Sequence, residues 1–164
     1  MKISIKDIVK YACVAAIYVV LTWLVAPIAF VPIQFRISEA LVLLCFFNKK
    51  YFLPLTIGCF VSNLMNTNVL DLLFGTFATM ISLFFICKSK NLFIASLFPV
   101  VFNGVIISLD YCLFEGVSDI NVFLLNMATI AFGEFVCVSV LGVILFSMLS
   151  KNEGFMSLIG DGNN

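Results

Sequence analysis

Apolar runs broken by charges and turn residues divide the chain into six helical segments. A membrane-spanning helix needs about 20 apolar residues, with a range of about 17–25. The first segment runs from about Ile8 to about Ala26 and is ended by Pro27 and Pro32. The second, Ser38 to about Phe47, is too short to cross alone. The third covers Tyr51 to about Met65, and the fourth about Val69 to Cys87. The fifth extends from about Asn91 to about Phe114, and the sixth from about Ile120 to about Leu149. The runs lack the strict alternation of a membrane barrel, so strands are not expected. Lys2, Lys6 and Lys10 ahead of the first run imitate a signal peptide, but the run stays uncharged from Tyr11 to Phe35. That exceeds the usual apolar core of about 7–15 residues, so a retained first helix is expected.

Composition agrees with this pattern. Of 164 residues 63% are hydrophobic and 11% charged, with a mean hydropathy of +1.18. Soluble domains carry about 45–50% apolar and about 25% charged residues. The expectation is an all-α integral membrane protein, a multi-pass six-helix transmembrane bundle forming one domain over residues 1–164. Net charge is zero and no basic patch exists, which argues against a nucleic-acid partner.

The lysines orient the bundle. Lys2, Lys6 and Lys10 precede the first segment, Lys49 and Lys50 join the second and third, Lys88 and Lys90 join the fourth and fifth, and Lys151 follows the sixth. By the positive-inside rule this side faces the cytoplasm, and both termini lie there. Arg36, the one arginine, falls on the other side. Glu39, Asp71, Asp110, Glu115 and Asp119 lie at or near the outer ends of segments. An outer half rich in carboxylates suits a cationic or donor-rich ligand arriving from outside.

Several chemistries are missing from the chain. It has no histidine, which removes histidine zinc sites, His-based nucleophilic pairs and His proton relays. It has no GxxxxGK[ST] loop, so this chain is not expected to hydrolyse ATP by that route. Cys13, Cys45, Cys59, Cys87, Cys112 and Cys137 are widely spaced in or beside apolar runs and read as small hydrophobes. Neither an enzyme nor a bound cofactor or metal is expected.

Some acids have structural explanations. Asp71 lies three residues after Asn68, close to a capping-box spacing, and Ser118-Asp119 reads as the start of the sixth helix. Glu39 follows Ser38 in a first turn, where the helix dipole favours a carboxylate. Glu134 has no such explanation: it stands alone in Ala131-Phe132-Gly133-Glu134-Phe135, with no other charge between Asp119 and Lys151. A charge at the bilayer centre costs at least about 2.5–3.5 kcal/mol, so Glu134 should face a cavity or a partner. Asn126 lies eight residues earlier on the same helix face. With Asn63, Asn66 and Asn103 it suggests a buried polar site open to the outside, interhelical hydrogen bonding being the competing reading. Ala12 and Ala16 form a small-xxx-small pair through which another helix can approach the first.

Residues 31–44, Val-Pro-Ile-Gln-Phe-Arg-Ile-Ser-Glu-Ala-Leu-Val-Leu-Leu, resemble the signature of the QueT family of queuosine-precursor transporters, which are substrate-binding S components of energy-coupling factor (ECF) transporters. Asn63 in Gly-Cys-Phe-Val-Ser-Asn, Leu70-Asp71-Leu72-Leu73-Phe74-Gly75-Thr76 and Gly133-Glu134 support the resemblance, which covers nearly the whole chain. It implies capture of substrate from outside and assembly with a transmembrane coupling subunit (EcfT) and two ATPases. Ala12 and Ala16 resemble the docking surface for EcfT. The implied ligand is pre-queuosine-1 (7-aminomethyl-7-deazaguanine) or a queuine-like base. Its guanine-like edge offers N–H donors to one carboxylate and its cationic aminomethyl group suits a second. Glu39 and Glu134 are the expected pair, in either order. Asn63, Asn103, Asn126 and Asp71 would complete the polar set, with Phe35 or Phe74 stacked on the base. Arg36 would order the loop Pro27–Ile37, part of a lid, or meet the ligand's carbonyl. The alternative is an ion-coupled secondary carrier for a small nucleobase or vitamin, although no inverted repeat is evident.

Overall fold

The computed structural model describes residues 4–29, 35–64, 69–114, 116 and 119–160, without the side chains of Ile28, Ala29 and Asp71. All regular structure among them is helical. We label the helices α1 (Ile5–Leu24), α2 (Ile37–Phe47), α3 (Phe52–Asn63), α4 (Val69–Ile86), α5 (Leu92–Phe114), α6 (Ile120–Leu149) and α7 (Glu153–Ile159). Short helical turns, Ala26–Ala29 and Lys49–Tyr51, join some of them. Helices α1, α5 and α6 are long and apolar enough to cross a membrane. Pro32, Asn66, Asn68, Glu115, Ser118 and the middle of the expected lid loop, residues 30–34, lie outside the described residues.

Helix α1 starts three residues before the expected Ile8 because Ser4 caps it. The Ser4 hydroxyl accepts from the Lys6 amide (3.4 Å), and the Asp7 carboxylate accepts from the Ser4 amide (3.3 Å). Polar Lys6 and Asp7 hid this first turn from a reading based on apolar runs. Helix α7 was not anticipated either. Its C-terminal end is held by Asn48 Nδ2, which donates to Ile159 O (2.9 Å), and by Lys10 Nζ, which donates to Gly160 O (3.4 Å). The start of α1, the α2–α3 turn and the end of α7 therefore meet at one end of the bundle.

Helix α2 is the centre of the fold. Ser38, Glu39, Ala40, Val42, Leu43, Leu44 and Cys45 are all buried, as expected of a helix surrounded on every side. It contacts α1, α3, α4, α5 and α6, and its first seven residues form a tighter 3-10 helix. Helix α1 lies at the periphery, with about a tenth of its apolar window buried.

Two irregularities shape the α5–α6 pair. Pro99 inside α5 removes a ladder donor, and Ser139 Oγ reaches across from α6 to donate to Ser96 O (3.2 Å). Helix α6 is α-helical to Glu134, π-helical over Phe135–Gly142, and α-helical again from Val143. In an α-helix each i+4 step drifts by about 40° around the axis. The wider π turns slow that drift, and Ile130, Glu134, Val138, Gly142 and Phe146 all stay buried along one row. Gly142 permits the closest approach: a Cβ there would lie 3.1 Å from Leu43 Cδ1 and 3.3 Å from Ala40 Cβ of α2.

Candidate functional site

Glu39 enters the site from the first turn of α2 and is fully buried. Its side chain does not cap its own helix. Instead Oε1 accepts a short hydrogen bond from the Tyr18 hydroxyl of α1 and another from Thr79 Oγ1 of α4 (3.1 Å). Its second oxygen, Oε2, is buried without a hydrogen-bond partner among the described residues. Around this carboxylate runs a chain of small polar groups. Cys59 Sγ of α3 donates to Thr79 Oγ1 (3.3 Å), and Asn63 Nδ2 donates to Cys59 Sγ (3.5 Å). Thr22 Oγ1 lies 2.7 Å from Ser38 Oγ, tying α1 to the residue before Glu39. Close packing of α1 on α3 supports the arrangement, since Gly58 leaves room for the Tyr18 side chain.

Glu134 comes from the opposite side, on the last α-helical turn before the π segment of α6, and is also fully buried. Its Oε1 accepts from Asn103 Nδ2 of α5 (2.7 Å). Glu134 Oε2 and Asn103 Oδ1 are both buried without hydrogen-bond partners among the described residues. Asn103 is itself fully buried one turn after Pro99. Helix α5 approaches α6 closely here, because Gly104 meets Ala131 and Met127 rather than a side chain of its own.

Arg36 is a third charged residue of the interior. It is buried immediately before α2, and its guanidinium reaches the neighbourhood of Gly75 and Asn63. Arg36, Glu39, Asn63, Asn103 and Glu134 form a set of buried polar side chains carried on or beside four helices, α2, α3, α5 and α6, and Tyr18 and Thr79 bring in α1 and α4.

The other expected residues take more varied positions. Phe35 is half-buried and its ring meets Phe132 of α6 edge-on, with centroids 6.4 Å apart. Phe74 is half-buried on α4. Asn126 is half-buried on α6, and its Nδ2 is buried without a hydrogen-bond partner among the described residues. Asp71 lies in the first turn of α4, with its side chain outside the described residues. Ala12 and Ala16 are exposed on the peripheral α1. Tyr18, Cys59 and Thr79 were not anticipated. Their only sequence signal is a hydroxyl or thiol in the middle of an apolar helix, which core packing equally explains.

The six cysteines are free thiols. No cluster of three or more metal-ligating side chains occurs among the described residues. What the buried group can do chemically is accept hydrogen bonds: three oxygens, on Glu39, Glu134 and Asn103, have no hydrogen-bond partner among the described residues.

A family model described as QueT transporter matches residues 8–151 of the chain. The chain belongs to the QueT transporter family. A QueT relative, the queuosine precursor transporter of Lactococcus lactis subsp. cremoris (strain MG1363), is 33% identical over 160 residues, covering 88% of this chain and 92% of the relative. No solved structure matches the chain. As a QueT transporter it is a multi-pass protein of the bacterial cell membrane and not an enzyme, in keeping with its three long apolar helices. The QueT match contains every element that builds the polar group, from α1 to α6.

Proposed function

We propose that the chain is the substrate-binding S component of an ATP-driven ECF importer that captures a queuosine precursor, pre-queuosine-1 or a queuine-like base, from outside the cell. The observation that carries this reading is the pair of fully buried carboxylates, Glu39 and Glu134, each with one oxygen open. A buried acceptor left unmet costs about 1–3 kcal/mol, more when charged, so a cluster of them is favourable where a ligand brings donors. A 7-aminomethyl-7-deazaguanine carries N–H donors on its guanine edge and an ammonium at the other end. The name of the Lactococcus relative points to the same class of base. In this reading Asn63, Asn103, Asn126 and Asp71 complete the polar set, Arg36 orders the entrance, and Phe35 or Phe74 covers the base.

The lysine distribution supports a six-helix bundle with both termini in the cytoplasm. The chain carries no nucleotide-binding loop, so ATP hydrolysis falls to two partner ATPases acting through an EcfT-type coupling subunit. The exposed Ala12 and Ala16 suit close approach by a helix of that subunit. Replacing Ala12 or Ala16 by Leu is expected to leave ligand affinity within twofold while abolishing co-purification with the coupling subunit. Lost binding with assembly intact would refute this docking role.

Titration calorimetry of the purified full chain tests the substrate. Pre-queuosine-1 is expected to bind at least tenfold more tightly than guanine, with queuine measured alongside. An absence of binding heat with all three bases rejects the substrate class. Uptake into liposomes by the chain alone, without ATPases, rejects the ECF assignment in favour of a self-sufficient carrier.

A further inference from the structure

The two buried carboxylates have different surroundings, and the difference assigns them different parts of a ligand. At Glu39 one oxygen is occupied by two hydroxyl donors, Tyr18 and Thr79, and the cationic Arg36 stands at the base of the same helix. Oε1 is thus satisfied twice over, and the other oxygen, Oε2, remains to be filled. At Glu134 the only donor among the described residues is a neutral amide N–H from Asn103. Two acceptors remain open there, Glu134 Oε2 and Asn103 Oδ1, on side chains already joined by a hydrogen bond.

A buried carboxylate bonded by one neutral amide is left with more unmet negative charge than one already accepting from two hydroxyls. An ammonium brings three donors and no acceptor, which matches two adjacent open acceptors, one of them charged. A ring N–H or an exocyclic amine of a base is neutral and satisfies a single open oxygen. We infer that Glu134 and Asn103 together form the subsite for the cationic amine of the ligand, and that Glu39, held by Tyr18 and Thr79, receives a neutral N–H donor of the base. Tyr18 and Thr79 are then positioning residues that leave one lone oxygen of Glu39 facing the ligand. The assignment rests on the substrate class proposed above.

The test uses a matched ligand pair, 7-aminomethyl-7-deazaguanine and 7-methyl-7-deazaguanine, which differ in the amine alone. Each is titrated calorimetrically into the full-length wild type, Glu134→Gln and Glu39→Gln. Loss of the amine is expected to weaken binding more than tenfold in the wild type and in Glu39→Gln, but less than threefold in Glu134→Gln. Glu39→Gln should instead weaken both ligands by a similar factor. Binding of the methyl base by Glu134→Gln is its own proof of fold. Asn103→Ala, which removes the second acceptor, is expected to reduce the amine's contribution by at least threefold. An amine effect undiminished in both Glu134→Gln and Asn103→Ala overturns the assignment, as does one abolished by Glu39→Gln alone. If neither base binds the wild type, the substrate class itself fails and the assignment falls with it.

Discussion

Glu134→Gln is expected to weaken binding of pre-queuosine-1 by more than tenfold, about 1.4 kcal/mol, while the empty protein melts no lower than the wild type. The two halves of this result have one cause. In the wild type Glu134 accepts from Asn103 Nδ2, while Glu134 Oε2 and Asn103 Oδ1 remain unmet inside the bundle. A glutamine retains the accepting oxygen and adds an N–H that can donate back to Asn103 Oδ1, turning a one-sided contact into a reciprocal amide pair. It also removes a buried charge that has one neutral donor. Stability is thereby gained where binding capacity is lost, the usual trade at a site held ready for a ligand. Calorimetry and thermal unfolding in the same detergent measure both halves. Unchanged affinity removes Glu134 from the binding site; a fall in melting temperature gives it a structural role.

Gly58→Leu is expected to cost about 1–3 kcal/mol of stability and to reduce ligand affinity as well, although residue 58 touches no ligand. A Cβ at this position would lie 3.0 Å from Tyr18 Cβ and 3.1 Å from the Ala15 carbonyl, so α1 must move away from α3. Small residues at helix contacts in a membrane permit close backbone approach, and here that approach places the Tyr18 hydroxyl on Glu39. Moving α1 withdraws a donor from a fully buried carboxylate. Ile57→Ala, on the exposed side of the same helix, serves as the control and should change neither quantity. If Gly58→Leu binds with wild-type affinity, the α1–α3 contact does not position Glu39.

The long helices were readable because membrane spans are set by composition over many residues. Both ends of α6 fall at Ile120 and Leu149, where Asp119 and the Ser150-Lys151 pair interrupt the apolar run. Helix ends governed by a few local hydrogen bonds were less readable. The Ser4–Asp7 capping box lies among charges that resemble a cytoplasmic tail, and α7 is too short and mixed for any periodicity to declare it. At the site, Glu134 announced itself as an unexplained charge, and the structure buries it against Asn103. Glu39 had a ready explanation in the helix dipole, and only its tertiary partners reveal that its side chain turns inward. Tyr18 and Thr79 were invisible for the complementary reason: a hydroxyl on an apolar helix gains its meaning from what lies opposite, and the sequence does not state who is opposite.

The π-helical stretch of α6 makes the site sensitive to length as well as to chemistry. Residues 135–142 carry no charge, and their four exposed or half-exposed apolar positions, Phe135, Val136, Val140 and Leu141, can be exchanged for other apolar residues. The number of residues is not free to change. Deleting one residue there would still leave a span long enough to cross the bilayer, but it would turn everything upstream relative to Gly142 and its seat on α2. Glu134 would then swing out of register with Asn103, its charge directed toward lipid. This segment therefore acts as a phase-setting spacer, in which the count of residues is itself a functional requirement.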